Sequence, residues 1–161
     1  MAERQTPDFK AMAELRYQIR RFLRFSENAA RQAGVEPQQH QLLLAVKGLP
    51  DGAKPTIGVL AERMQLQHHS TVELVDRLVE RGFLARLRAT DDRRQVLIKL
   101  TGEGEDFLEK LSRHHIEELQ STGPKFVNIL QTLIATAEDA VSAGSFQPEL
   151  TKKAGKERTH G

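Results

Sequence analysis

Between Gln67 and Thr101 the periodicity of the chain changes sharply. From His68 onward Thr71, Leu74, Val75 and Leu78 recur at helical spacing and form one inward face. Gly82 ends that run. Phe83, Ala85 and Leu87 then alternate with Leu84, Arg86 and Arg88. After the polar stretch Ala89-Thr90-Asp91-Asp92-Arg93, Val96, Ile98 and Leu100 alternate with Gln95, Leu97 and Lys99. Two period-two runs around a short polar loop predict an antiparallel hairpin. A helix that runs through one glycine into a basic hairpin leaves few ways to arrange what precedes and follows it.

What precedes it narrows the choice further. Pro55-Thr56 opens a short helix over Ile57–Met64, with Leu60, Ala61 and Met64 facing in, and Gln65-Leu66-Gln67 turns into the next helix. Two helices joined by a three-residue turn form a helix-turn-helix, whose second helix enters the major groove in DNA-binding proteins. With the hairpin behind it, the unit reads as a winged helix. Ser70, with Glu73 three residues on, fits a capping box at the start of the second helix. Both are also placed to touch DNA, and the two roles compete.

The flanks read as helix. Leu15, Ile19, Phe22 and Leu23 make one apolar face between Asp8 and Gly34, interleaved with Arg16, Arg20, Arg21 and Arg24. Roughly 25 residues is long for a helix of a small domain, and its apolar face needs a partner. Pro37 suits the first turn of a second helix that includes Leu42, Leu43, Leu44 and Val46 and is expected to be buried. After Thr101, Phe107, Leu108, Leu111, Ile116 and Leu119 supply apolar positions to about Ser121. Gly123-Pro124 is expected to break the helix, and a last one carries Phe126, Leu130, Leu133, Ile134, Ala137 and Val141. The expected organisation is a loose arm over 1–7, an N-terminal dimerisation helix over 8–36, a winged helix-turn-helix over 37–101, C-terminal dimerisation helices over 102–144, and a disordered basic tail over 145–161. The fold class is mainly α with a small β-hairpin wing.

Composition excludes several functions. No Cys is present, which removes disulfides, thiolate catalysis, thiol redox sensing and Cys-ligated zinc. No apolar run approaches the roughly 20 residues of a membrane span, so no membrane association is expected. The chain begins without a signal-peptide core, and a cytoplasmic protein is expected. Glycine-rich phosphate loops, metal-ligand spacing and a nucleophile–base pair are missing, so neither an enzyme nor a cofactor is expected. The formal net charge is only +2, but nine basic residues face six acidic ones between Lys54 and Thr101, a local excess of +3 on the helix and hairpin.

Three stretches resemble the MarR family, the multiple-antibiotic-resistance regulators. Leu60-Ala61-Glu62-Arg63 looks like the first helix of its reader. Leu74 to Phe83 looks like its recognition helix running into the wing. Asp92-Arg93-Arg94, followed after five residues by Leu100-Thr101, matches its wing signature. The resemblance covers about residues 10–143, and the third stretch is the most specific. It implies a homodimer on double-stranded DNA with a pseudo-palindromic site, most members being repressors, many released by a small aromatic or phenolic acid. The contrasting reading is a winged helix that only binds other proteins, without reading DNA.

The resemblance also suggests roles. Arg94 looks like the wing-tip arginine of the minor groove, with Arg93 beside it and Asp92 pairing with Arg94 to fix its aim. His68, His69, Ser70 and Thr71 would lie near bases and phosphates. Arg77 would hold a phosphate or pair with Glu73. Thr56 is a candidate phosphate anchor, and Arg88 adds charge on the wing. Candidate effector contacts are Arg16, Tyr17, Arg20 and His40, the last more readily read as a satisfied core histidine. His68-His69 and His114-His115 do not chelate as adjacent pairs, because neighbours on a helix point about 100° apart. For His114 and His115, interhelical packing or solvent is expected. Two residues depart from the family pattern: Gln65, where a glycine is frequent in the turn, and Glu73, which would accept from cytosine or repel phosphate.

Overall fold

The computed structural model describes residues 7–90, 92 and 94–142, with side chains through Ala135. The expected tail and all of the N-terminal arm except Pro7 lie outside that range. Among the described residues five helices and one hairpin follow in order: α1 (Phe9–Gln32), α2 (Pro37–Lys47), α3 (Ile57–Met64), α4 (His68–Glu80), β1 (Leu84–Arg88), β2 (Val96–Leu100) and α5 (Gly102–Ser142). Asp8 caps α1 by accepting from the Ala11 N–H at 2.8 Å. Gly34, at φ +83°, ends it, and the Val35 N–H closes the turn on the Ala30 carbonyl at 3.0 Å. Pro37 starts α2, where the Gln39 side chain reaches back to the Glu36 N–H at 3.0 Å. Leu42 and Leu43 are fully buried in α2, but Leu44 is half exposed, so the helix is covered on one side rather than all round.

The helix-turn-helix has the expected limits, and its turn is strained at one residue. Gln65 is left-handed, at φ 53° and ψ 41°, which costs a non-glycine residue about 1 kcal/mol. Its side-chain amide donates to the Glu62 carbonyl at 2.7 Å, which also accepts from the Gln65 N–H at 3.1 Å, so this last-turn acceptor is doubly satisfied. The expected capping box at Ser70 is not formed. Gln67 caps α4, which starts at His68 and places Ser70 inside the first turn. The hairpin pairs Leu84 with Leu100 and Arg88 with Val96 in an antiparallel register. Leu84, Ile98 and Leu100 point into the core, whereas Leu87 and Val96 are about half exposed.

The expected break at Gly123-Pro124 is overruled. α5 is one helix with Pro124 inside it. A proline lacks the N–H that would reach the carbonyl four residues back, so the local sequence favours a kink or stop. Packing against α1 on both sides of Pro124 holds the helix together. Before it, His115 reaches Ser26 at 2.8 Å; after it, Lys125 pairs with Glu14 at 2.6 Å. Thr122 also donates to the Glu118 carbonyl at 2.9 Å, next to the gap. Along this pair of helices a crevice of about 430 Å³ runs between Ile19, Phe22 and Leu23 and Leu119, Phe126 and Val127. Ile19, Leu23, Ile116, Leu119, Val127, Leu130 and Ile134 remain exposed, an apolar face that one chain leaves uncovered.

The core gathers Leu42 and Leu43 of α2, Leu60 of α3, Leu74, Val75 and Leu78 of α4, the hairpin residues, and Leu108 and Leu111 of α5. One joint ties the hairpin to α5. The Thr101 hydroxyl donates to the Gly82 carbonyl at 2.5 Å and accepts from the Gly104 N–H at 3.0 Å, while the Thr101 N–H donates to the Phe83 carbonyl at 3.1 Å. Phe83 stacks on Phe107 with ring centroids 4.7 Å apart. Gly104 is buried so closely under Phe83 that an added Cβ would lie 2.1 Å from its carbonyl oxygen. Gly104→Ala must push backbone apart, and we expect it to lower the free energy of unfolding by about 2 kcal/mol in urea titration, within the range for overpacked cores. An unchanged midpoint would mean that the joint yields freely.

Candidate nucleic-acid interface

The residues expected to read DNA fall into exposed and inaccessible sets. His68 and His69 open α4 and are exposed, with Ser70 half-buried behind them. A helix start leaves several N–H groups without intrahelical acceptors, so this end of α4 offers donors as well as side chains. Glu73 and Arg77 lie exposed one turn apart and face each other at 3.8 Å. That is a solvent-screened i,i+4 pair of little energetic weight, leaving Arg77 available. Thr56 is half-buried and caps α3, accepting from the Val59 N–H at 3.4 Å.

Thr71 is a correction. Its side chain is 0% exposed, and its hydroxyl donates to the Gln67 carbonyl at 3.1 Å. It belongs to the inward face with Leu74, Val75 and Leu78 and has no access to a ligand outside the protein. The helical spacing had already put it on that face.

The wing tip is built by hydrogen bonds from its own backbone. The Asp92 carboxylate accepts from the Arg94 N–H at 2.9 Å. The Gln95 N–H donates to the Asp92 carbonyl, and the Ala89 N–H to the Gln95 carbonyl, each at 2.9 Å. This aspartate turn fixes the main chain at Arg94, so the expected control of its aim acts on the backbone amide. Arg94 and Arg88 are exposed. Arg93, with Asp91, lies outside the described residues.

Two arginines of the reader have structural partners that sequence spacing did not reveal. Arg86 of β1 pairs with Asp76 of α4, joining wing to helix. Arg81 lies over the Phe83 ring at 5.1 Å and donates to Gln39 at 3.2 Å, which binds the end of α4 to α2. No spacing rule links residues 42 positions apart such as Gln39 and Arg81.

The four candidate effector contacts do not form one site. Arg16, Tyr17 and Arg20 are exposed on α1, while His40 is buried in α2 and faces His115. A separate cavity of about 400 Å³ opens between α1 and the start of α5. Phe25, Ala29, Phe107 and Leu111 line it, with Lys110 and His114 beside them. His114 is exposed, 3.7 Å from Glu117, whereas His115 is interhelical. Among the described residues no group of three His, Asp or Glu side chains is arranged to hold a metal ion. No helix among them is long and apolar enough to cross a membrane.

A short turn between α3 and α4, a basic hairpin behind them and two long helices carrying the unit define a winged helix-turn-helix of the kind found in transcription regulators. The MarR family model matches residues 33–95, from the end of α1 to the wing. YhbI of Bacillus subtilis (strain 168), an uncharacterized HTH-type transcriptional regulator, is 39% identical over 70 residues. That alignment covers 44% of this chain and 45% of YhbI, so the chain spans less than half of that curated relative. The fold extends further than the sequence likeness. The MarR family transcription regulator SP03579 has a TM-score of 0.66 at 18% identity, over 91% of this chain and 93% of its own. CouR from Rhodococcus jostii RHA1, solved with p-coumaroyl-CoA, has a TM-score of 0.60 at 23% identity, over 92% and 100%. The repressor CouR has also been solved on a 23-mer DNA duplex, with a TM-score of 0.57 at 23% identity, over 78% and 89%. These structures establish the fold.

Proposed function

We propose that the chain is a homodimeric, sequence-specific DNA-binding repressor, released by a small effector with an aromatic or acyl body and an acidic group. The observation that carries this reading is the shared exposure of the α4 start and the wing tip. His68, His69 and Ser70 would enter the major groove, and Arg94, set by the Asp92 turn, the adjacent minor groove. Arg77 and Arg88 would hold phosphates, with Thr56 at the start of α3 near the backbone. Glu73, exposed beside Arg77, would admit a cytosine amino group. A cytoplasmic location follows from such a role, and no enzymatic activity belongs to it.

The apolar face of α1 and α5 supports the dimer. A second copy would cover Leu23, Leu119, Val127 and Leu130 and set two readers on one face of a duplex. The cavity beside Lys110 and His114 suits an effector. Its apolar walls accept an aromatic ring or acyl chain, and the lysine would meet an anionic group. CouR, which shares the fold, is seen with an aromatic acyl thioester and, separately, with DNA.

Fluorescence anisotropy with the DNA upstream of the protein's own gene tests the DNA claim. Affinity should fall steeply as salt rises, because each neutralised phosphate releases counterions. Arg94→Ala should weaken binding about tenfold, and Thr71→Val should leave affinity unchanged because that side chain never reaches the surface. Binding that ignores both salt and Arg94→Ala would favour the protein-binding reading instead. For the effector, p-coumarate and related acyl thioesters should raise the melting temperature of the wild-type protein, and Lys110→Ala should diminish that shift. A shift equal in both proteins would place the ligand elsewhere.

A further inference from the structure

Where the reader meets the long helices, two imidazoles lie against each other inside the protein. His40 of α2 is 4% exposed and His115 of α5 is 9% exposed, with ring centroids 4.8 Å apart and ring planes 32° apart. Phe22 and Phe25 of α1 stand edge-on to His115 at 6.2 and 5.7 Å. The two rings behave differently toward a proton. His115 has a partner on each nitrogen: Nδ1 with the Leu111 carbonyl and Nε2 with the Ser26 hydroxyl, both at 2.8 Å. With one proton it donates to the carbonyl and accepts from Ser26. With two it donates to both, since a hydroxyl oxygen accepts as well. His40 has no such latitude, because its Nδ1 is buried with no hydrogen-bond partner. A second proton there would leave a charged N–H without an acceptor, in an apolar site and against another imidazole.

We propose that His40 and His115 form a proton-operated latch between the reader and its helical arm: neutral rings hold α2 against α1 and α5, and a proton on His40 opens that junction. The charges facing the pair are few. From α5 the titratable group on His40 is His115 itself. From α1 come the Ser26 hydroxyl and the two phenyl rings, none of them charged. On α2 the neighbouring Gln39 is engaged with the Glu36 amide and Arg81. No carboxylate among the described residues acts on His40 to welcome a proton. Burial first, and His115 second, lower its pKa from 6.5 to about 4.

The sign follows from linkage. Well above pH 6.5 the closed and released forms of His40 are both neutral, and the closed junction has its full stability. Between 6.5 and about 4 the released imidazole binds a proton that the closed one refuses, so the closed form loses ground as pH falls. One proton changes the equilibrium constant by at most tenfold per pH unit, and the loss levels off below about pH 4. α2 is the first helix of the reader, so opening here would change how the reader sits on the arm, and acid would weaken DNA binding. That last consequence rests on the proposed function; the latch itself does not.

Urea unfolding of the full chain between pH 4 and 8 tests the latch without DNA. The wild-type unfolding constant should rise on acidification more steeply than that of His40→Phe, which keeps a ring against His115 but cannot take the proton. The excess should approach tenfold per pH unit between about 6 and 4.5. Equal slopes in the two proteins would overturn the proposal. Should His40→Phe not fold, imidazole NMR of the wild type decides. His40 is expected to remain neutral at pH 5.5, and its later protonation should coincide with loss of its ring contact to His115. Titration of His40 near 6.5 with the contact intact would equally overturn it. If the latch is confirmed by these readings and DNA is not bound at any pH, the proposed function fails and the latch stands.

Discussion

The hydroxyl of Thr101 joins the two halves of this molecule. It donates to the Gly82 carbonyl, where α4 passes into the wing, and accepts from the Gly104 N–H, where α5 begins. The wing is a two-stranded ribbon, which is marginal by itself in water. It is held because Thr101 closes its base, Phe83 stacks on Phe107 and Gly104 leaves room for the Phe83 carbonyl. Arg86 with Asp76 then fixes the ribbon to α4. The orientation of the reader relative to the long helices depends on these contacts and on the His40–His115 junction at the far side of α2.

The long helices solve a different problem. α1 and α5 lie against each other over much of their length, and their contact carries α5 through Pro124. The pair still leaves an apolar strip exposed. A second copy of the chain would bury that strip and convert it into a distance between two readers. In this account the arm does not touch DNA; it sets where the two α4 helices stand. The cavity between α1 and the start of α5 lies within that arm, where a ligand could act on the spacing.

Much of the reader was legible in the sequence because short-range chemistry decides it. Pro55-Thr56 marks the start of α3, Gly34 and Gly82 mark turns with positive φ, and the period-two runs on either side of residues 89–93 mark the hairpin. Gln65 stands where the family often has a glycine, and its backbone is left-handed as a glycine's would be. One misreading arose because long-range packing outweighs local preference. Pro124 is a helix breaker by itself and a helix residue when α1 lies alongside. Ser70 and Glu73 have capping-box spacing, but α4 begins two residues earlier, with Gln67 as its cap. Thr71 satisfied its helical face and not the role suggested by family resemblance. The His40–His115 junction was not legible: 75 residues separate the two rings along the chain, and nothing local distinguishes His115 from the exposed His114.

The central claim is that the arm holds two readers at the spacing of a duplex. Because the sequence contains no Cys, one introduced thiol gives one spin label per chain. With Glu73→Cys, on the exposed middle of α4, pulsed dipolar spectroscopy of the labelled protein should show one narrow distance of about 35 Å, one helical turn of DNA. Absence of dipolar coupling at micromolar protein, or a broad distribution unrelated to that spacing, would contradict the account.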